Sequence, residues 1–454
     1  MFTWPLAHYI QKWHILARAV YNSPVIKDFF MYSCGAIFLR AITLFLAPII
    51  LRTISPEEYG LLALINSFVA ILAPIIGLGL RQVLTLEYFH HVGTNRQQLV
   101  NEIIIVYLFL CAPLGVLLYV MRIPLQQYFW GTQLNDHLLL LALGQTCVSF
   151  FVELLYQLLG YERKVRTLIG LQMSVALVTI ICSLFFVLIL NGGITGILAA
   201  QCMGSGIATC FGMYCYYTGQ YFKFLSFTNS AKKMLYYVKY GVPFIPGMVF
   251  AWLLASGNRW FLARYGTLHD VGIYAITDTF AQLFQVLILL PWSASYLPYI
   301  LTSYSQNPRE ILVVERHNQT LMYMAMISLA FVIMCAYIGC TPLLMWLLPV
   351  AYHPAITYIW PLLMGYVFLL GSYFASSFIQ FHKKSYFLAF AFCIPAILNG
   401  ILNCILIPRF GLYGCTSATL ISYIVYFGIV LGYNHRLQKH TLCKLSGLNC
   451  FLAE

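Results

Sequence analysis

Twelve apolar runs, each long enough to cross a bilayer as a helix, leave this chain few folds to choose from. They fall near residues 29–51, 60–80, 102–121, 138–159, 168–190, 194–217, 241–263, 272–298, 321–340, 355–381, 386–407 and 412–433, divided by short stretches rich in charge, Pro, Gly or Asn. About 20 apolar residues span the hydrocarbon layer as a helix, which also bonds every backbone N–H and C=O within the segment. Only 8% of the 454 residues are charged and 61% are hydrophobic, too little polar surface to cover a soluble fold of this length. The expected class is an all-α polytopic membrane protein. Its short connections leave no room for a separate catalytic domain.

Charge orients the runs. Lys and Arg number 25 against 13 Asp and Glu, a net charge of +12. With the N-terminus inside, the inner segments hold nineteen basic residues: Lys12, Arg18, Lys27, Arg81, Arg96, Arg163, Lys164, Arg166, Lys223, Lys232, Lys233, Lys239, Arg309, Arg316, Lys383, Lys384, Arg436, Lys439 and Lys444. The outer segments hold four, Arg52, Arg122, Arg264 and Arg409. That bias places both termini in the cytoplasm. It also accounts for the excess charge without nucleic acid as a partner, since no single basic face remains.

The chain repeats itself. Arg52 to Gly60 and Arg264 to Gly272 share one spacing at an offset of 212 residues. Gly193-Ile-Thr-Gly196 and Gly411-Leu-Tyr-Gly414 open two further runs at an offset of 218. Nearly constant offsets imply two six-helix lobes related by a pseudo-twofold axis along the membrane normal. The expected organisation is a cytoplasmic segment over 1–28 with the pattern of an interfacial helix, a first lobe over 29–217, a basic connection over 218–240, a second lobe over 241–433, and a cytoplasmic tail over 434–454. Two lobes with short loops are a transporter layout. No Gly-x-x-x-x-Gly-Lys-[Ser/Thr] loop provides for ATP hydrolysis, and no filter sequence or acidic ring marks a channel. The cysteines lie mostly inside apolar runs, with no Cys-x-x-Cys pair and no zinc spacing, so neither metal nor cofactor is expected.

Three strings resemble a known family. Asn399-Gly-Ile-Leu-Asn403 continuing through Pro408-Arg409-Phe410-Gly411-Leu-Tyr-Gly414 to Ala418-Thr419 is similar to a segment of polysaccharide flippases. Ser55-Pro56-Glu57-Glu58-Tyr59-Gly60-Leu61 resembles that family's approach to its second helix. Tyr240-Gly241-Val-Pro243-Phe-Ile-Pro246, with Asn258-Arg259 and Val271-Gly272-Ile-Tyr274, resembles its seventh and eighth helices. The resemblance is to Wzx-type O-antigen or capsule repeat-unit flippases of the multidrug/oligosaccharidyl-lipid/polysaccharide exporter superfamily. One departure is Asn258, where members often carry Asp before the Arg.

The resemblance implies a non-enzymatic flippase of the bacterial inner membrane. Its substrate would be an undecaprenyl-pyrophosphate-linked oligosaccharide, moved from the cytoplasmic to the outer leaflet for O-antigen, capsule or exopolysaccharide synthesis. A polysaccharide polymerase and a chain-length regulator would be its partners, together with the lipid bilayer. A cation-coupled multidrug exporter on the same scaffold is the alternative. A membrane polymerase or ligase would carry a large outer loop, whereas the longest outer connection here is the short 122–137 stretch.

A pyrophosphate headgroup needs a wet, cationic cavity. Four charges fall within the runs: Arg40, Glu153, Arg259 and Asp278. An isolated charge at the centre of a crossing costs at least roughly 2.5–3.5 kcal/mol, so these should face a cavity or a partner. Arg40 and Arg259 are the candidate substrate-binding residues, because guanidinium takes phosphate oxygens in pairs. Each also has a structural reading, Arg40 as the partner of Glu153 and Arg259 as a snorkelling residue. Glu153 and Asp278 are candidates for ion coupling or charge pairing, with Asp278 set near Arg259 in depth.

Overall fold

The computed structural model describes residues 48–88, 91, 94–120, 136–162, 164–218, 230–291, 296–306 and 310–446. Arg40, Arg122, Arg163, Lys223, Arg309, the 1–28 segment and all but the last turn of the first run lie outside them. The other eleven runs each fall on a described helix or helix series, with no strand among the described residues. The first half supplies α1 (Pro56–Ile76), α2 (Leu80–Glu87), α3 (Thr94–Val120), α4 (Asp136–Tyr161), α5 (Val165–Leu184, extended by a π turn over Phe185–Ile189) and α6 (Gly193–Thr218). The second supplies α7 (Ser230–Gly241), α8 (Ile245–Ser256), α9 (Asn258–Tyr265), α10 (Leu268–Pro291), α11 (Leu297–Gln306), α12 (Ile311–Leu347), α13 (Pro354–Phe381), α14 (Ser385–Phe410) and α15 (Leu412–Ser446). Ten described segments are long and apolar enough to cross a membrane. The protein is a multi-pass membrane protein of two helical lobes.

The internal repeat is visible in the helix starts. Ser55 caps α1: its Oγ accepts from Glu58 N at 3.2 Å, and Glu58 Oε2 accepts from Ser55 N at 3.0 Å. Thr267 and Asp270 do the same for α10, with Thr267 N donating to Asp270 Oδ2 at 3.0 Å and Asp270 N to Thr267 Oγ1 at 3.2 Å. Each pair satisfies two N–H groups that a helix start leaves unbonded. Both boxes sit at the same point of the 212-residue repeat.

Packing repeats as well. In the first half α6 packs on α4 and α5, and α4 packs on α1; in the second α15 packs on α13 and α14, and α13 packs on α10. The equivalent helices α1 and α10 pack on each other across the seam, as helices beside a pseudo-twofold axis must. Gly60 and Gly272, equivalent in the repeat, make the contact. A Cβ on Gly272 would sit 1.9 Å from Pro56 O, and one on Gly60 2.1 Å from Leu268 O. Tyr352 adds a hydrogen bond from its hydroxyl to Ile54 O at 2.9 Å at this end.

The lobes also touch near the other end of α1. Gly79, in the left-handed region at φ +70°, begins α2, and a Cβ there would lie 2.3 Å from Gly241 O of α7. Tyr237 Oη donates to Glu102 Oε2 at 2.6 Å and Tyr236 Oη to Glu87 Oε1 at 3.1 Å, tying α7 to α3 and α2. Between the two ends, Trp252 Nε1 and Trp260 Nε1 donate to Ser67 O and Ser67 Oγ, each at 2.9 Å.

Three extents differ from the sequence expectation. The seventh run is a series: Pro243 and Pro246 bring a 3₁₀ turn over Val242–Phe244 between α7 and α8, and a turn at Gly257 separates α8 from α9. Part of the basic connection is the helix α7. Helix α12 has 37 residues and α15 has 35, roughly 50–55 Å each against about 30 Å of hydrocarbon. Their polar ends are helical because they pack on one another rather than on lipid.

Candidate functional site

Where α9 and α10 face α1, an ion pair sits in the seam. Arg259 Nη2 donates to Asp278 Oδ2 at 2.9 Å, with side chains 15% and 7% exposed. Gln282 Nε2, one turn along α10, donates to the same carboxylate oxygen at 3.0 Å. Tyr59 of α1 lies close enough to feel both charges. The Nε–H of Arg259 is buried and has no partner among the described residues. A guanidinium paired through Nη2 that keeps a buried Nε–H unused among the described residues has a donor to offer an acidic oxygen.

The residue before it holds the arginine in place. Asn258 Nδ2 donates to Tyr274 Oη at 2.7 Å and Thr419 Oγ1 at 2.8 Å, while its Oδ1 accepts from Asn403 Nδ2 at 2.7 Å. Asn403 Nδ2 also donates to Asn399 Oδ1 at 2.9 Å. All five residues are buried. This neutral network joins α9, α10, α14 and α15, so the Asn that departs from the family pattern bonds to amides and hydroxyls rather than to an ion.

Glu153 lies elsewhere. On α4 it accepts a hydrogen bond from Arg81 Nη1 of α2, the two side chains being 45% and 39% exposed. Arg81 Nε donates to Gln157 Oε1 at 3.4 Å, and Gln157 Nε2 donates to Thr85 Oγ1 and Tyr161 Oη, each at 2.6 Å. Among the described residues, Glu153's charge partner is therefore Arg81, which the sequence assigns to a connection. The two described members of the expected charge set with opposite sign, Arg259 and Asp278, are brought together; Glu153 is not part of their cluster.

One acidic residue escaped the sequence reading. Glu315 is fully buried near the start of α12. Its Oε1 accepts from Asn434 Nδ2 at 2.7 Å, Gln438 Nε2 at 3.2 Å and Gln319 Nε2 at 3.4 Å; its Oε2 accepts from Asn318 Nδ2 at 3.0 Å and from Tyr304 Oη. A carboxylate only accepts, and every neighbour here donates. The signal was present in the helical spacing of Glu315, Asn318 and Gln319, matched by Asn434 and Gln438. Charged neighbours such as Arg316 made the stretch read as a solvated connection. No three His, Cys, Asp or Glu side chains converge on a metal-sized site among the described residues.

Comparison with known proteins adds three findings. A family model described as polysaccharide biosynthesis protein matches residues 25–303. No curated protein matches the chain by sequence. Among solved structures, the lipid II flippase MurJ in an inward closed conformation superposes with a TM-score of 0.68 at 15% identity, covering 92% of each chain. An inward-facing multidrug resistance MATE family transporter of the MOP superfamily also gives 0.68 at 15% identity, over 89% of this chain and 99% of that one. A mutant of the Vibrio cholerae MATE transporter VcmN gives 0.60 at 15% identity, over 92% and 97%. At such identities the likeness is one of fold, a two-lobed transporter fold.

Proposed function

This chain belongs to the polysaccharide biosynthesis protein family, and from that premise we propose that it flips an undecaprenyl-pyrophosphate-linked oligosaccharide repeat unit from the cytoplasmic to the outer leaflet of the bacterial inner membrane. The product feeds O-antigen, capsule or exopolysaccharide synthesis, and a polymerase with its chain-length regulator receives it. The two lobes rock about their seam and expose the space between them to each side in turn. Arg259, joined by Arg40, holds the pyrophosphate. No bond of the substrate is made or broken.

The observation that carries this reading is the buried Nε–H of Arg259 at the seam, which has no partner among the described residues. Binding a phosphate oxygen there would satisfy it and would draw the guanidinium partly away from Asp278. Arg259→Ala is expected to lower surface polysaccharide about tenfold, the effect of losing one charge-assisted hydrogen bond. Because that change takes the guanidinium away from the buried Asp278 carboxylate, the Arg259→Ala/Asp278→Ala double variant serves as control. It should restore protein abundance and leave polymer low. Normal polymer from the double variant would remove the reading.

A cation-coupled drug exporter is the second reading, favoured by the equal fold likeness to the MATE transporter. Ethidium efflux driven by a proton or sodium gradient would establish it, with surface polymer unaffected by loss of the protein. The orientation has its own test. A cysteine placed at His269 should react with a membrane-impermeant thiol reagent in intact cells, and one at Lys232 should not. The opposite pattern would invert the topology.

A further inference from the structure

Two thiols meet inside the first lobe. Cys111 of α3 and Cys147 of α4 are free, and their Sγ atoms lie 3.0 Å apart. A disulfide bond measures about 2.05 Å, so roughly 1 Å of movement separates this contact from a covalent one. Tyr107 holds the two helices in this register. Its ring stacks on Phe150, with centroids 3.6 Å apart and planes 5° from parallel. Its hydroxyl donates to Cys147 O at 3.2 Å and accepts from the Cys111 thiol at 3.7 Å. The turns of α3 and α4 that carry the thiols are therefore also joined by an aromatic stack and a hydrogen bond.

Depth decides the chemistry. Cys111 and Cys147 are each nine residues from the nearer end of their apolar runs, about 14 Å along a helix. Both sit near the middle of a hydrocarbon layer about 30 Å thick. A charged reagent would have to shed its water to reach them, which is costly. Glutathione, which keeps cytosolic thiols reduced, is such a reagent. A structural zinc ion takes four ligands, and no cluster of three His, Cys, Asp or Glu forms among the described residues. An uncharged, lipid-soluble molecule meets no such barrier. The approach to the pair is from α4: Cys111 is buried, whereas Cys147 is half-buried on the strip of α4 that includes the exposed Leu140 and Gly144.

We propose that Cys111 and Cys147 form a redox site within the membrane, closing to a disulfide with a lipid-soluble quinone as the oxidant. Two S–H bonds break and one S–S bond forms. The two hydrogens, carrying two electrons and two protons, pass to the carbonyl oxygens of the quinone and give the hydroquinone. Because electrons and protons travel together, no ion is left in the hydrocarbon. The bond ties α3 to α4 across 36 residues of chain.

The test uses membranes holding the full chain, first reduced with dithiothreitol and then kept under nitrogen to exclude oxygen. They are incubated with decylubiquinone or, at the same concentration, with glutathione disulfide. Remaining thiols are capped with N-ethylmaleimide in denaturant, and the digest is read by mass spectrometry. The quinone should raise the Cys111–Cys147 cross-linked peptide at least about fivefold, and glutathione disulfide should leave it within about twofold. In detergent, the oxidised protein should aggregate at a higher temperature than the reduced protein, because the new bond closes a loop in the unfolded chain. Cys111→Ser treated alike should show no such rise. Both thiols found capped after the quinone would overturn the proposal. So would cross-linking driven equally well by glutathione disulfide, or an equal rise in aggregation temperature for Cys111→Ser.

Discussion

Replacing Gly272 with alanine is expected to abolish polymer export while leaving the protein abundant in the membrane. The added Cβ would lie 1.9 Å from Pro56 O and 3.2 Å from Gly60 N. Both are backbone atoms, so no side chain can swing aside, and the two lobes must part at this end of the seam. Each lobe keeps its own packing, which is why abundance should hold. Only about 1.4 kcal/mol against the closed arrangement is needed for a tenfold fall in its population, and a clash of this size exceeds that. Gly60→Ala, with its Cβ 2.1 Å from Leu268 O, should behave alike. Gly144→Ala, with nothing within 4 Å, should export normally. A cysteine at Thr279, close to the seam, should become more reactive to an impermeant thiol reagent in the Gly272→Ala background. Wild-type polymer from both seam variants would mean that the lobes do not close here during transport.

Glu315→Ala should have the largest effect on stability. The substitution strips the acceptor from Tyr304, Asn318, Gln319, Asn434 and Gln438, most of them buried. Asn318 keeps Phe374 O and Gln438 keeps Asn434 Oδ1 as acceptors, but each group that is orphaned costs about 1–3 kcal/mol, for a total of about 3 kcal/mol. In detergent, the temperature at which the protein aggregates should fall by roughly 10 °C. Glu315→Gln retains one acceptor oxygen but turns its amide hydrogens toward donors, and should lose less than half as much. An unchanged melting profile for Glu315→Ala would show that the cluster is solvated rather than buried.

Much of the architecture was legible because lipid imposes a one-dimensional rule. A run of apolar residues must cross or not cross, and a basic connection marks its side. The same rule reveals the repeat, since Arg52 to Gly60 and Arg264 to Gly272 match in spacing before any fold is known. Arg259 and Asp278 stood out as charges inside apolar runs, and their common depth already suggested the pair seen at 2.9 Å.

Where the polar groups lie outside the hydrocarbon, that rule gives no guidance. Arg81 and Glu315 both sit in stretches that composition assigns to water, yet one forms an ion pair with Glu153 and the other is fully buried. Their environments come from α2 and α4, and from α11, α12 and α15, meeting across 72 and 119 residues of chain. The order of the described helices and the twofold relation of the halves followed from the sequence alone. Which charge meets which, which glycines touch, and which donor or acceptor is left unsatisfied between the lobes were decided only when the helices packed. A hydrogen bond depends on direction and on distances of a few ångströms, and those are set by the neighbouring helix rather than by the residue's own place in the chain.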